Sequence, residues 1–499
     1  MMGHQPTPQR KLFYERIQLD QRIRNDHVLR GIAQRVDFDF IYPDVRDNYG
    51  ANGNVSVPPP VILKLMLLLI LYNVRSEREL MATVPERLDW LWFLGFDLDD
   101  EIPNHSVLSK ARTRWGSEAF KGFFERIVRQ CVEAGLVDGR KLFMDSCLVK
   151  ANASNNSVVN TGKLRAQLDR GYRQLRQRLD EPEQADAVNR THISTTDPDA
   201  SSVRRGSGNA TLQYQVHRAV DERCELITAT EVSTGSVHEA HRMGSLLDGH
   251  ARTTGTAAEV CVADSKYGTI ENYLSCHDRG VKSHFASLEQ TQRGSGRQAG
   301  ILPRDAFAYE PSTDTFLCPA GQRLTPRRLN ARRQQWEYTA AAHVCSRCAL
   351  QPQCTRSQSG RTLQRHVRQE ALDRMRSQAE SPRGRADRRQ RQHLMERSFA
   401  RGTRYGIKRA RWRRLWRVSI QEYLTATIQN IMILLRHYNK PLKAVAKRVE
   451  PAARSSSHMR TACARVMHWP AAVVQAIVAQ FAWHLLALKA SVGQQPVKM

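Results

Sequence analysis

The hydrophobic repeat of this chain changes once, near Gly139, and that change decides what each part can fold into. Before it, apolar residues recur at three- and four-residue spacing in VILKLMLLLILYNV and SEAFKGFFERIVRQCVEAGL, the pattern of helices that bury one face. From Lys141 the signal becomes short runs of β type: KLFMDSCLV, ATLQYQVHRAV, CELITATEV, AEVCVAD and KSHFASL. Two helical stretches interrupt them, HEAHRMGSLLDGHA after the third run and TIENYLSCH after the fourth. The pattern predicts a helical domain followed by a mixed α/β domain.

Local signals place the boundaries. Pro58, Pro59 and Pro60 open one helix, and Pro103-Asn104-His105-Ser106 opens another, with Ser106 as its expected N-cap. The polar segment from Ala151 to Asn209 holds a charged helical piece, KLRAQLDRGYRQLRQRL, and a Ser/Asp/Gly-rich stretch, the composition of a mobile insertion. VSIQEYLTATIQNIMILLRHY returns to helical spacing and is expected to pack on the sheet. After Asn439 comes a linker-like stretch, then an apolar piece beyond Trp469. The expected organisation is a helical domain (1–139), the first part of an α/β core (140–300, with the insertion at 151–209), a cysteine-bearing insertion with a basic segment (301–384), final core helices (385–440), and a linker with an apolar tail of unassigned role (441–499).

With 499 residues, the chain is long enough for two to four domains. Its 76 Lys and Arg against 49 Asp and Glu give a formal charge of +27, a self-repulsion that a polyanion such as DNA or RNA would neutralise. The charge is concentrated. Between Arg361 and Arg417 stand 18 Arg and one Lys against five acids, so this stretch alone carries +14. Tyr405, Trp412 and Trp416 are interleaved with it, the mixture suited to phosphates and sugars; a solvated helix face is the plainer reading of a charge run. Ten Cys in so long a chain make no disulfide framework, and MMGHQPTPQRKLFYER lacks the apolar run of a signal peptide, so a reducing cytoplasm is expected. Val61 to Tyr72 carries Lys64 and is too short to span a bilayer, and Ala471 to Leu488 contains Gln475, Gln480 and His484, so no membrane partner is expected.

Asp145 lies in the middle of the apolar run KLFMDSCLV, where a carboxylate is costly without a partner. An edge position or a nearby Arg is the ordinary explanation. Asp264 ends the run EVCVAD, which makes it either a turn-capping residue or a ligand-facing one at a strand's C-terminal end. Glu396 stands among arginines in QRQHLMERSFARG and has an intrahelical Glu–Arg pair as its simplest reading. Three acids on two strands and a helix are also what two hard cations such as Mg²⁺ require for phosphodiester chemistry.

The runs MDSCLVKANAS, VADSKYGTIENY and MERSFARGTRYGIKRARWRRLW resemble the three signatures of bacterial insertion-sequence transposases of the DDE type, and PNHSVLSKARTRWG resembles the helical domain preceding the core in one branch of them. The likeness extends over about residues 10 to 440. It implies a ribonuclease H-like core, to which the order of strands and helices also conforms, with Asp145, Asp264 and Glu396 binding two Mg²⁺ (or Mn²⁺) ions. It implies that water cuts at the element's ends and that the freed 3′-hydroxyl attacks target DNA. Its expected partners are double-stranded DNA, as terminal repeats and target, and further copies of the chain in a homodimer or higher synaptic oligomer. Arg397, Arg401, Arg404 and Lys408, on or after the helix carrying Glu396, are the expected DNA contacts. Lys150, Asn152, His217 and Asp221 either line the site or satisfy backbone groups at strand ends.

Cys318, Cys345, Cys348 and Cys354 fall between the second and third acids with spacing C-x26-C-x2-C-x5-C, of which only Cys345-x2-Cys348 has the usual ligand spacing. Four thiolates there are a candidate tetrahedral Zn²⁺ site, structural in role. LCPAGQRLTPRRLNARRQQWEY is so poor in apolar residues that it is expected to need such a staple in place of a core. Two other classes fit parts of the pattern: a DNA-binding regulator without catalysis, and a nuclease of the same fold that cuts without joining.

Overall fold

The computed structural model describes residues 2–4, 18–50, 53, 55–161, 192–204, 207–287 and 300–439. The chain divides into two compact units, Met1–Leu435 and Arg436–Met499. The charged helical piece expected at 163–179, the linker and the apolar tail lie outside the described residues.

The N-terminal region is helical, and three of its helices matter here. Helix α1 (Pro59–Leu71) is buried nearly all round, Lys64 being half-buried. Its apolar run therefore forms a core helix, and among the described residues no helix is long and apolar enough to cross a membrane. Helix α2 (Ser106–Trp115) begins one residue earlier than its composition indicated. Ser106 is its first residue and not the cap; Asn104 Oδ1 accepts from the Ser106 amide at 2.9 Å, in effect an Asx turn that starts the helix. Helix α3 (Glu118–Glu133) buries Phe120, Phe123, Phe124, Ile127, Val128 and Cys131, the residues its three–four spacing places on one side.

The switch at Gly139 is real. Strand β1 (Lys141–Lys150) pairs antiparallel with β5 (Thr211–Asp221) and parallel with β7 (Val260–Val262), which pairs parallel with β8 (Lys282–His284). Strands β6 (Ile227–Thr234) and β4 (Ser201–Val203) also pair antiparallel with β5, completing a six-stranded mixed sheet. The short β2 (Val158–Asn160) and β3 (His192–Ser194) form a separate ladder within the polar segment. All five β-type runs hold strands, although the fourth and fifth are three residues long.

Alternation along β1 fixes the two faces of the sheet. Leu142 and Met144 pack with Met243, Leu246 and Leu247 of helix α4 (Met243–Thr254) and with Tyr273 and Cys276 of α5 (Ile270–Asp278). Phe143 packs on the other face with Phe124 and Val128 of α3, Leu394 and Met395 of α7 (Pro382–Thr403), and Ala426 of α8 (Leu415–Tyr438). Asp145 is in phase with Phe143 and so comes under α7.

Between β8 and α7 the chain builds a second sheet: β9 (Ala308–Glu310), β10 (Thr315–Leu317), β11 (Arg323–Asn330), β12 (Gln335–Thr339) and β13 (Thr362–His366), in sequential antiparallel order. Here the composition misleads, because the segment does have a core of its own. Phe307, Phe316, Leu324, Tyr338, Ala340 and Leu363 form it, and the rings of Phe316 and Tyr338 meet edge to face at 5.0 Å. Its apolar residues are scattered, and only strand pairing brings them together. Helix α6 (Gln369–Glu380) then returns the chain to α5 and β8.

Candidate metal centre

Asp145 enters the site from β1, Asp264 from the end of β7, and Glu239 from the short 3₁₀ turn (Glu239–Arg242) that leads into α4. One carboxylate oxygen of each lies within 4.8 Å of the others. Among the described residues this is the group of three His, Cys, Asp or Glu side chains with metal-holding geometry.

Each acid is positioned by backbone and neighbours. Asp145 Oδ1 accepts from the Ser146 amide at 2.8 Å, and its Oδ2 accepts from Arg391 Nη1 of α7 at 2.6 Å. Asp264 Oδ1 accepts from the Lys266 amide at 2.9 Å, so it is indeed a turn-capping residue while its carboxylate belongs to the cluster. Glu239 is almost wholly buried, with a side-chain exposure of 5 %. Lys266 Nζ donates to its Oε1 at 2.6 Å, and Ser146 Oγ, itself accepting from Gln215 Nε2 at 2.7 Å, donates to its Oε2.

The electrostatics favour a cation. Burial raises the Asp145 carboxyl above its ordinary value, against the opposing pull of Arg391, and the charges of Asp264 and Glu239 raise it further. Burial likewise raises Asp264, with Glu239 adding to it. Holding these acids ionised at neutral pH therefore costs free energy that a bound divalent ion would return. The donor set is all oxygen, which suits Mg²⁺ or Mn²⁺. Tyr267 is buried, the charges of all three acids act on it, and its hydroxyl has no hydrogen-bond partner among the described residues.

Of the three acids expected from sequence, Asp145 and Asp264 converge and Glu396 stands outside the group. Glu396 lies five residues beyond Arg391 on α7, exposed, and accepts from Gln392 Nε2 at 3.3 Å within its own helix. Sequence reading passed over Glu239, which lies in HEAHRMGSLLDGHA immediately after a strand run. Its signal was an acid at a strand-to-helix junction, the kind of position Asp264 also occupies.

The basic residues separate by environment. Arg397 and Arg401 both pair with Glu225, the latter at 2.5 Å, whereas Arg404 and Lys408 are exposed at and beyond the end of α7. Asp221 accepts from the amides of Gly139 at 2.8 Å and Arg223 at 2.9 Å, and Asn152 Nδ2 donates to the Arg411 carbonyl at 2.9 Å. Both thus satisfy backbone groups. The Lys150 amide donates to the Lys408 carbonyl, tying β1 to the segment after α7. His217 is fully buried beneath the sheet, its Nε2 within 2.8 Å of Ser233 Oγ, and burial pushes its pKa down to about 3.

Cys318, Cys345, Cys348 and Cys354 line one small cavity of about 40 Å³ in the second sheet's domain, and none of them is in a disulfide. Burial raises the Cys354 thiol, and the three neighbouring cysteines add to the rise. Gly360, at φ +97°, backs Cys345 so closely that a Cβ there would meet Sγ at 2.8 Å.

Two family models match the chain. A transposase domain (DUF772) matches residues 17–114, and a transposase DDE domain matches residues 317–435. Asp145, Glu239 and Asp264 fall outside both spans, whereas Glu396 and the four cysteines fall in the second. A cryo-EM structure of a piggyBac transposase synaptic complex with hairpin DNA is similar at 7 % identity and a TM-score of 0.34, over 83 % of this chain and 73 % of that one, a likeness too slight to carry an argument. No curated protein matches the chain.

Proposed function

From the premise that this chain is a DDE-type transposase, we propose that it cuts at the ends of a bacterial insertion sequence and joins the freed 3′-hydroxyls to target DNA. The observation that carries this reading is the convergence of Asp145, Glu239 and Asp264 beside the central strands β1 and β7 of the mixed sheet. The sheet's order of three antiparallel strands followed by helices and parallel strands supports a ribonuclease H-like core, preceded by a helical domain that recognises ends or assembles the complex.

Asp145, Glu239 and Asp264 would hold one divalent ion, and Glu396, the third acid of the family resemblance on α7, would be the residue offered to a second. Such ions polarise the attacking oxygen and offset charge at phosphorus. The chain's own residues do the rest. Lys266 and Ser146 orient Glu239, and Arg391 holds Asp145 in place. The exposed Arg404 and Lys408 meet the DNA backbone, and Arg397 and Arg401 do so when they leave Glu225. Double-stranded DNA is the partner, and two ends are held by a homodimer or higher oligomer.

The test is a cleavage and strand-transfer assay on DNA carrying the flanks of the protein's own gene, with Mg²⁺ or Mn²⁺ as the only added cofactor. Nicks at the element's ends and joined products from a pre-cut end are expected. Binding without cleavage in either metal makes the protein a regulator; cleavage without joined products makes it a nuclease.

The four cysteines are read as a structural Zn²⁺ site that staples the inserted domain, a role supported by their shared cavity and the lack of disulfides among them, although as placed they do not form a group of metal-holding geometry. The purified protein is expected to contain about one zinc per chain by elemental analysis. Cys345→Ser together with Cys348→Ser should abolish it. A metal-free wild-type protein whose inserted domain melts like the variant's would remove the site from this account.

A further inference from the structure

The inserted sheet carries at one end a surface that neither the metal centre nor the cysteine cavity uses. Residues 323–334, which form β11 and the turn into β12, contain five Arg and no acid. Arg323 pairs with Glu310 at 3.3 Å. Arg327, Arg328, Arg332 and Arg333 are exposed, and among the described residues none of them makes an ion pair, although Glu337 lies directly across the ladder from Arg328. Like charges left together repel one another, a cost that a bound polyanion would offset.

The same tip exposes apolar side chains. Leu329 and Trp336 are cross-strand partners, 43 % and 36 % exposed, and Val367 beside them is 49 % exposed, its amide donating to the Gln334 carbonyl at 3.0 Å. A surface hairpin needs none of this for solubility. The ladder is also irregular at this point, with a register shift between Pro326 and Arg328 that adds a residue to β11 and bends the ribbon.

Resting on the transposase reading above, we propose that the β11–β12 tip of the inserted sheet is a DNA-gripping surface that lies against the backbone of duplex DNA, its four arginines on phosphates and Trp336 with Leu329 against the sugar edge. The fit is electrostatic: exposed arginines that make no ion pair among the described residues are available to phosphate, whose oxygens match the planar guanidinium fork. The contact is to the backbone, so it strengthens binding to any duplex and does not choose the sequence.

The experiment is duplex DNA binding by the full chain across a range of salt, with no divalent metal present. Replacing Arg327, Arg328, Arg332 and Arg333 together with Gln should flatten the slope of log K against log salt by about 3 to 4, because each phosphate contact contributes about 0.9. At about 0.1 M salt the affinity should fall at least about a hundredfold. The matching fourfold Arg→Lys variant should keep the slope, which separates lost charge from lost folding. An unchanged slope in the Gln variant overturns the proposed surface. Failure of the transposase reading is recognised separately, as wild-type protein that binds DNA in this assay yet never cleaves it with Mg²⁺.

Discussion

Asp145→Asn is expected to abolish Mg²⁺-dependent strand cleavage while leaving duplex binding within about twofold, since no contact with the DNA backbone is assigned to it. The expected loss is at least about a thousandfold, some 4 kcal/mol of barrier at tenfold per 1.4 kcal/mol. The replacement keeps the side chain's size, so it removes charge from the group of three acids without opening a cavity. It also removes the partner of Arg391, which then faces the site without its carboxylate. Asp264→Asn and Glu239→Gln should each behave in the same way, because every one of the three supplies an oxygen within 4.8 Å of the other two. Glu396→Gln measures the proposed second ion: cleavage should fall as steeply, whereas affinity for the first ion, read by calorimetry, should stay near wild type. Full cleavage by Asp145→Asn sinks the catalytic assignment, and full cleavage by Glu396→Gln alone leaves the chemistry to the trio from β1, β7 and the turn before α4.

The second large effect is on stability. Arg218 of β5, directly across the ladder from Asp145, is fully buried, and its guanidinium forms a two-pronged pair with Glu422 of α8, Nε to Oε1 at 2.7 Å and Nη2 to Oε2 at 3.0 Å. Nη1 donates to the Ser398 carbonyl of α7 at 3.1 Å, and Thr230 of β6 donates to Glu422 at 2.8 Å. One buried pair thus joins two strands to two of the helices that cover this face, α7 and α8. Glu422→Ala leaves the arginine charge buried and unmatched, for which the expected cost is about 3–5 kcal/mol. Urea unfolding should show it as a lowered midpoint with an unchanged slope. The double change Arg218→Met with Glu422→Leu should recover much of the loss, because apolar residues of similar size need no partner. Equal losses in the single and double variants would mean that shape, not charge, is what this pair supplies.

These two expectations mark where local sequence is informative. The change of period at Gly139, the five strand runs and the helices between them are set by short-range preference and by alternation along each run, so they are visible without a fold. Asp145 was recognisable because a carboxylate among Leu, Phe, Met and Val breaks that alternation. Asp264 was recognisable from its place at a strand's end. Ser106 shows the limit of the same logic, for it is the helix's first residue, and the turn that starts the helix is made by Asn104.

Proximity across distant segments was not visible. Glu239 has an unremarkable neighbourhood in the sequence and reaches Asp145 only because the turn before α4 abuts the middle of β1 at Asp145 and Ser146. Glu396 has the most telling neighbourhood, yet with Leu394 and Met395 packed on Phe143 it is exposed and outside the trio, while Arg391 of the same helix reaches Asp145. The core of the inserted sheet was hidden for a related reason: its six apolar side chains are spread over the 57 positions from Phe307 to Leu363, and only antiparallel pairing stacks them. The sequence by itself determined the elements, the family resemblance and two of the acids, because these depend on residues close in the chain. Which acids meet, which arginines are paired and which remain exposed depend on side chains brought together from hundreds of residues apart, and only the tertiary structure decided them.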